Sequence, residues 1–283
     1  MYPIIFDFGI VNILGFKFKL AIYSFGLMLV VAFYTCYFLL NYDFKRFGYK
    51  EKLASDIIFW SALGGILGAK TYYILENLDD LLSSSDPFGM IFSGAGLVFI
   101  GGLIGAVIAV SMILNKYNLP WLLFADILAP LIILGYAIGR IGCFLVGDDY
   151  GIPTNLPWGI SFPNGLPPTT YEVFEYRYPW IDLSNFTPGL LSVHPTQIYE
   201  TFICTLIFIF LWKSRTKIKH QGSLFFTYLI LAGSERFIIE FLRTNEKYLF
   251  DLFSGAQILS ALMVLIGIYF IIQPIKLEES DKT

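Results

Sequence analysis

Apolar residues in this chain come in runs about twenty long with few charges inside them, and such runs bury themselves in hydrocarbon or against one another. Seven occur, at about 20–40, 56–75, 95–114, 122–143, 197–212, 223–243 and 255–273, the fifth short enough to extend back towards Pro195. At about 1.5 Å of rise per residue, twenty helical residues span the hydrocarbon core of a bilayer. The expected fold is therefore an all-α integral membrane protein with seven transmembrane helices. Composition agrees: 56% of residues are apolar and 14% charged, against about 25% charged in a soluble domain. A net charge of -3 argues against a nucleic-acid partner.

The basic residues set an orientation. Lys45, Arg46, Lys50, Lys52, Lys116, Lys213, Arg215, Lys217, Lys219, Lys276 and Lys282 fall in one alternating set of loops, and only Lys17, Lys19, Arg177 and Lys247 in the other. Cytoplasmic loops collect lysine and arginine, so the amino terminus is expected outside and the carboxyl terminus in the cytoplasm. The loop 144–194 then faces outwards, as a cap at the bilayer surface rich in aromatic residues. Pro157, Pro163, Pro167, Pro168, Pro179 and Pro188 interrupt regular helix across it. Neither a repeat nor a linker divides the chain, so residues 1–283 are expected to form a single integral membrane domain. The first run is too long for a signal-peptide core and no small-residue cleavage site follows it, so it counts as a span. Cys36, Cys143 and Cys204 lie in apolar runs or at their edge, which argues against a disulfide framework.

Charges inside apolar runs mark candidate functional residues, because each costs a few kcal/mol unless it pairs, snorkels or binds an ion. Arg140 ends the fourth run and opens a glycine-rich, acidic and aromatic stretch from Gly139 to Gly165. By itself it reads equally as an interfacial arginine reaching the headgroups. Gly135, Gly139 and Gly142 would let a helix or a lipid headgroup approach the backbone there. In the sixth run Arg236, Glu240 and Arg243 follow at i, i+4 and i+7 and would share a helix face. Two arginines around one carboxylate leave a net positive site suited to phosphate, whose oxygens match the planar guanidinium fork. A purely structural ion-pair network is the competing account. Pro195, Gln197 and Glu200 suit a helix start beside an interfacial His194. Asp126 stands nearly four helical turns before Arg140, about 21 Å away, too far to pair with it. Glycines 64, 65, 68, 101, 102 and 105 read as helix-packing faces.

Three separated motifs then carry a resemblance. Asp126-Ile-Leu-Ala-Pro130, Gly139-Arg-Ile-Gly142, Gly147-Asp-Asp-Tyr-Gly151 and Pro157-Trp-Gly159 form the first, and Val193-His-Pro-Thr-Gln-Ile-Tyr-Glu200 the second. The third is the Arg236-Phe-x-x-Glu240-Phe-x-Arg243 pattern. Together they resemble the bacterial prolipoprotein diacylglyceryl transferases over about residues 20 to 273. The resemblance implies a bacterial inner-membrane enzyme that moves the diacylglyceryl group of phosphatidylglycerol to the lipobox cysteine of a prolipoprotein. Its partners would be phosphatidylglycerol, the prolipoprotein signal peptide and membrane lipid, and neither metal nor cofactor is expected. It implies catalytic roles for Arg140, Arg236, Glu240 and His194. It implies substrate binding by Arg140, Gly142, Asp148, Gly151, Asp126, Arg243 and Tyr23.

The chain departs from the family pattern at several positions. Ile100 stands where members often carry a histidine implicated in catalysis. Cys143 and Val146 replace two asparagines, Asp148 a glutamate and Ala232 a tyrosine, while Phe25 stands where tyrosine is common, with Tyr23 two residues away. Without the histidine, His194 and Asp148 are the possible bases for the thiol, and His194 is the one expected, since it should reach the outer interface where the thiol arrives. A relative that binds anionic lipid or a lipoprotein precursor without turnover is the alternative function, and a small transporter a third, disfavoured by the lack of an inverted repeat.

Overall fold

A computed structural model describes residues 2–13, 16–83, 91, 98–217, 220–248 and 252–275. It is mostly helical. Among the described residues, five helices are long and apolar enough to cross a membrane: α1 (Ser24–Phe47), α2 (Glu51–Glu76), α4 (Phe99–Lys116), α5 (Trp121–Val146) and α9 (Gly255–Ile272). The short α3 (Leu78–Ser83) follows α2, and α6 (Tyr171–Arg177) lies in the long loop after α5. α7 (Thr196–Ser214) and α8 (Ser223–Ile239) correspond to the expected fifth and sixth spans but are not among those five helices. They carry Glu200, Glu235 and Arg236 on buried or half-buried faces. Residues 95–97, the start of the expected third span, lie outside the described residues.

The all-α expectation needs one correction. Strands β1 (Ile4–Ile13) and β2 (Phe16–Tyr23) form an antiparallel hairpin, with Ile4 opposite Tyr23 and Ile13 opposite Phe16. The first span therefore begins at Ser24 rather than near residue 20. The physical reason is visible in Phe-Lys-Phe-Lys-Leu-Ala-Ile-Tyr, whose early alternation has the period of a strand, not of a helix.

The chain divides into two compact units, one of residues 36–124 and the other of residues 1–35 with 125–283. In the first, α2 and α4 pack along a seam without side chains. A Cβ on Gly64 would come within 2.7 Å of both Gly105 O and Ala109 Cβ, and a Cβ on Gly68 would meet Gly101 O. The glycines are what allow the two backbones to touch. Phe44, Tyr49 and Phe124 close the other part of this unit, Phe44 edge-on to Phe124 at 5.6 Å between centroids.

In the second unit α5, α7 and α8 share a core of Ile133, Ala137, Cys204, Ile207, Leu211, Leu224 and Ala232. α5 is the most enclosed of the five apolar helices: 44% of its apolar window is buried, against 17–22% in the others. α9 packs on α8, where Gly233 lies against Ser260 and Met263, and Phe226 stacks on Phe270 at 4.7 Å. A capping box formed by Ser254 and Gln257 starts α9. The outward faces of these helices remain apolar, as with Leu262 and Leu265 on α9, which suits contact with lipid.

The loop after α5 is more ordered than its prolines suggest. Tyr150, Phe162, Phe174, Leu183, Leu191 and Val193 make a core of their own. The Tyr150 hydroxyl donates to Pro167 O at 2.9 Å, and bridges pair Gly151 with Arg243 and Pro153 with Val193. Prolines excluded long helices here, but they left a folded element held by aromatic packing.

Candidate active site

Three arginines from two helix ends meet in the second unit. Arg140 sits in the last two turns of α5, which continues to Val146, past the expected end at 143. Arg236 lies in the last turn of α8. Arg243 does not continue that helix face. α8 stops at Ile239, a 3-10 turn covers Glu240–Leu242, and Arg243 is extended at φ -89, ψ 162. The tightened last turn hands its carbonyls to the loop: Leu242 O accepts from Ile152 N at 2.8 Å, and Gly151 bridges to Arg243.

Three carboxylates face the three arginines, so the net positive site expected from Arg236, Glu240 and Arg243 alone is replaced by a balanced cluster. Glu200, fully buried on the first turns of α7, pairs with Arg140 Nε, with Arg236 Nη1 at 3.3 Å and with Arg243 Nη1 at 3.5 Å. Glu240 pairs with Arg236 Nη2 at 2.8 Å and accepts from Ser254 Oγ at 2.7 Å and Asn245 Nδ2 at 2.6 Å. Asp149 bridges Arg140 Nη1 at 2.7 Å and Arg243 Nη2 at 2.8 Å. Tyr136, one turn before Arg140, accepts from its guanidinium at 3.0 Å and donates to Glu200 at 3.2 Å. Buried guanidinium groups demand such partners, since an uncompensated charge there costs several kcal/mol.

The loop that delivers Asp148 and Asp149 is fixed from beneath by α7. Thr196 Oγ1 donates to Asp149 O at 2.9 Å and Gln197 Nε2 to Asp148 O at 2.6 Å. Burial, aided by the neighbouring Asp149 charge, pushes the Asp148 carboxyl up to about 6. Partial burial works the same way on Asp149, but Arg243 and Arg140 outweigh it and hold that carboxyl down at about 2. Cys143 Sγ and the two aspartates lie within 4.8 Å of one another. Arg140 and Arg243 pair with Asp149, and Arg140 also contacts Cys143 at 3.6 Å, so two of these three groups already face a guanidinium.

The remaining sequence candidates divide. Gly142 receives α1, with Phe25 Cδ2 and Met28 Cβ 3.1 and 3.2 Å from where its Cβ would be. Gly151 is pressed among Leu242, Thr196 and His194, and its N–H donates to His194 O at 2.9 Å. His194 is half-buried, its Nδ1 lies 3.4 Å from the Tyr199 hydroxyl, and burial lowers its pKa. Asp126 is not joined to the arginines: its carboxylate accepts from Gly222 N at 2.6 Å and Phe225 N at 2.8 Å, capping the first turn of α8 from a neighbouring helix. Tyr23 ends β2, about half exposed. Ile100 begins α4 in the other unit. Sequence reasoning did not single out Asp149 and Tyr136, and it gave Glu200 only a helix-start role. The signal for Glu200 was its charge within an apolar run; for Asp149 it was the doubled acid directly after Arg140's helix.

Fold and site together define a multi-pass membrane protein that gathers guanidinium groups at the junction of its helices and an ordered loop. Comparison with known proteins narrows the class. The family model of prolipoprotein diacylglyceryl transferase matches residues 13–273. A phosphatidylglycerol–prolipoprotein diacylglyceryl transferase of Clostridium tetani is 33% identical over 270 residues, covering 95% of this chain and 96% of its own. That of Shewanella oneidensis is 31% identical, covering 96% and 95%, and that of Pseudoalteromonas atlantica 30%, covering 99% and 92%. The chain belongs to the prolipoprotein diacylglyceryl transferase family.

Proposed function

We propose that this protein, in the bacterial inner membrane, transfers the diacylglyceryl group of phosphatidylglycerol to the lipobox cysteine of a prolipoprotein. The observation that carries this is the junction of Arg140, Arg236 and Arg243 around buried carboxylates, in a chain of this family. In the reaction the cysteine sulfur forms a bond to the glycerol carbon and the carbon–oxygen bond to phosphate breaks. The thiol proton passes to a base and glycerol 1-phosphate leaves with the electron pair. Negative charge grows on the departing phosphate, where preorganised guanidinium groups stabilise it most. Arg140 and Arg236 form the clamp, Arg243 completes it on the other side of Arg140, where Asp149 bridges the two, and Glu240 orients Arg236. With Ile100 in place of the histidine, Asp148 and His194 are the candidate bases, since a thiol with pKa about 8.5 needs only modest help.

Seven membrane spans, α7 and α8 included, give an amino terminus outside and a carboxyl terminus in the cytoplasm, with the loop 144–194 over the outer leaflet. The lysine and arginine distribution supports this orientation. Single cysteines in the 144–194 and 213–219 loops, in a background lacking the native three, test it with an impermeant label. Labelling of 213–219 in intact cells overturns it. Purified protein in phosphatidylglycerol vesicles with a lipobox peptide tests the chemistry by the mass added to the peptide. No transfer at any pH, together with Arg140-dependent lipid binding, would leave a lipid-binding relative instead.

A further inference from the structure

One acid of the cluster differs from the others in a way that bears on how a lipid phosphate enters. Glu200 and Glu240 have side chains 0% and 1% exposed and are held by several partners each. Asp149 is 46% exposed, on a short side chain in the loop beyond α5. Its backbone is at φ 55, in the same tight turn as Gly147 at φ 76. A left-handed conformation is uncommon for a residue with a Cβ, and aspartate is among the few that adopt it readily. Its carbonyl is pinned by Thr196 Oγ1 at 2.9 Å and Arg243 Nη1 at 3.3 Å, so the side chain can rotate away without moving the loop.

The two oxygens of that carboxylate each take one guanidinium, Oδ2 from Arg140 and Oδ1 from Arg243. Two oxygens of one phosphate fit the same bridging position between the same donors. A phosphate also brings further oxygens, and a donor stands ready for one. The Arg243 side chain is more than nine-tenths buried, yet its Nε has no hydrogen-bond partner, and Glu240 Oε2 at 3.8 Å is too far to serve. Charge gives the same answer. Asp148 and Glu235 lie beside the three paired carboxylates, but whatever their state the withdrawal of Asp149 shifts the cluster by one positive charge. A phosphodiester with no other charge in its headgroup restores balance; a zwitterionic headgroup does not.

Resting on the transfer reading above, we propose that Asp149 is a displaceable counter-ion occupying the phosphate seat between Arg140 and Arg243, and that it makes the site selective for anionic over zwitterionic phospholipid. Until a ligand supplies enough contacts to replace both ion pairs, the seat is neutral to passing anions.

The test compares Asp149→Asn and Asp149→Ser, which remove the charge, with Asp149→Glu, which keeps it. Each full-length variant is assayed in detergent for transfer, for thermal stabilisation by short-chain phosphatidylglycerol or phosphatidylcholine, and for inhibition by inorganic phosphate. The neutral variants are expected to lower KM for phosphatidylglycerol at least fivefold and to lower the concentration of phosphate needed for half-inhibition. Asp149→Glu should do neither. Strengthening by inorganic phosphate alone would identify the ligand as free phosphate and overturn the lipid selectivity. Unchanged or raised KM in both neutral variants, with unchanged stabilisation, leaves an ordinary ion pair and overturns the proposal while the transfer reading stands. Tighter lipid binding without any transfer does the reverse. Failure of both neutral variants to fold also overturns it, since a carboxylate that must leave during the reaction cycle cannot be required for the fold.

Discussion

The glycine seam of α2 and α4 and the arginine junction of α5, α7 and α8 solve opposite problems. In the seam, Gly64, Gly68, Gly101 and Gly105 remove side chains so that backbones can touch. At the junction, long charged side chains converge because each finds a partner of opposite sign. The seam is therefore sensitive to atoms added and the junction to the removal of its fully buried charges, Glu200 and Glu240. Substitutions at the two places should separate folding from chemistry.

The largest effect should come from Glu200→Ala. Glu200 pairs with all three arginines from a fully buried position, and removing one partner of a buried ion pair costs about 3–5 kcal/mol. Thermal unfolding in detergent should show that loss, and transfer should vanish. If the protein keeps its stability, the junction is held by packing and the contrast with the seam breaks down. Next comes Gly68→Ala, whose new methyl would meet Gly101 O and sit 2.9 Å from Gly105 Cα. Overpacking of that kind costs about 1–3 kcal/mol. Gly65→Ala sharpens the comparison: its Cβ would lie 3.7 Å from Gly102 O, an ordinary contact. There the helix preference for alanine, up to about 1 kcal/mol, should make the change neutral or stabilising.

Arg140→Lys asks what kind of positive charge the junction needs. Lysine keeps the charge but not the fork, and Arg140 uses several of its nitrogens, on Tyr136, Asp149 and Glu200. Transfer should fall at least tenfold, about 1.4 kcal/mol of transition-state stabilisation. Full activity in Arg140→Lys and Arg236→Lys would show that the clamp is misassigned. Asp126→Ala should matter less and in a different currency, costing about 1 kcal/mol through the lost cap on α8. Its kcat and KM should hold at a temperature where the variant stays folded. A selective rise in KM for lipid would return Asp126 to the substrate site.

How far the sequence carried these conclusions depends on the range of the physics involved. Run length placed four of the five apolar helices to within about five residues at each end, because span length is a local property, while α1 runs on to Phe47, past the expected end at 40. The glycine faces were legible for the same reason. The hairpin was missed although Phe16–Tyr23 begins with a strand's alternation, since the apolar run that starts there masked it. Arg140, Arg236 and Arg243 were legible as buried charges that need company, but their company was not. Asp149 and Arg243 stand 94 residues apart, and nothing local to either states that they meet. The exit of Arg243 from its helix was likewise invisible, because it depends on Ile152 taking up the last turn's carbonyl. Asp126 was grouped with the site by motif alone, and its geometry is that of a cap.

The smallest effect concerns the base, and it turns on pH. Asp148 has its carboxyl raised to about 6 by burial and the Asp149 charge, while burial lowers the His194 pKa below its ordinary value. Either group accepts a proton only in its deprotonated form, so in both cases the rate rises as pH passes upward through the group's pKa and then levels off. A profile with one inflection on the acid side of neutrality therefore does not name the base, and the variants must. Asp148→Asn removes the inflection if Asp148 takes the thiol proton, and the remaining rate should climb towards pH 8 to 9 with the substrate thiolate. His194→Ala should then change the rate only through its contact with Tyr199 and leave the inflection in place. The geometry favours Asp148, which lies in the same loop as the Asp149 bridge, whereas His194 Nδ1 is turned to Tyr199. Loss of the inflection in His194→Ala with its survival in Asp148→Asn would assign the base to the histidine. Survival in both variants would remove both residues from proton transfer and leave the thiol to ionise by itself.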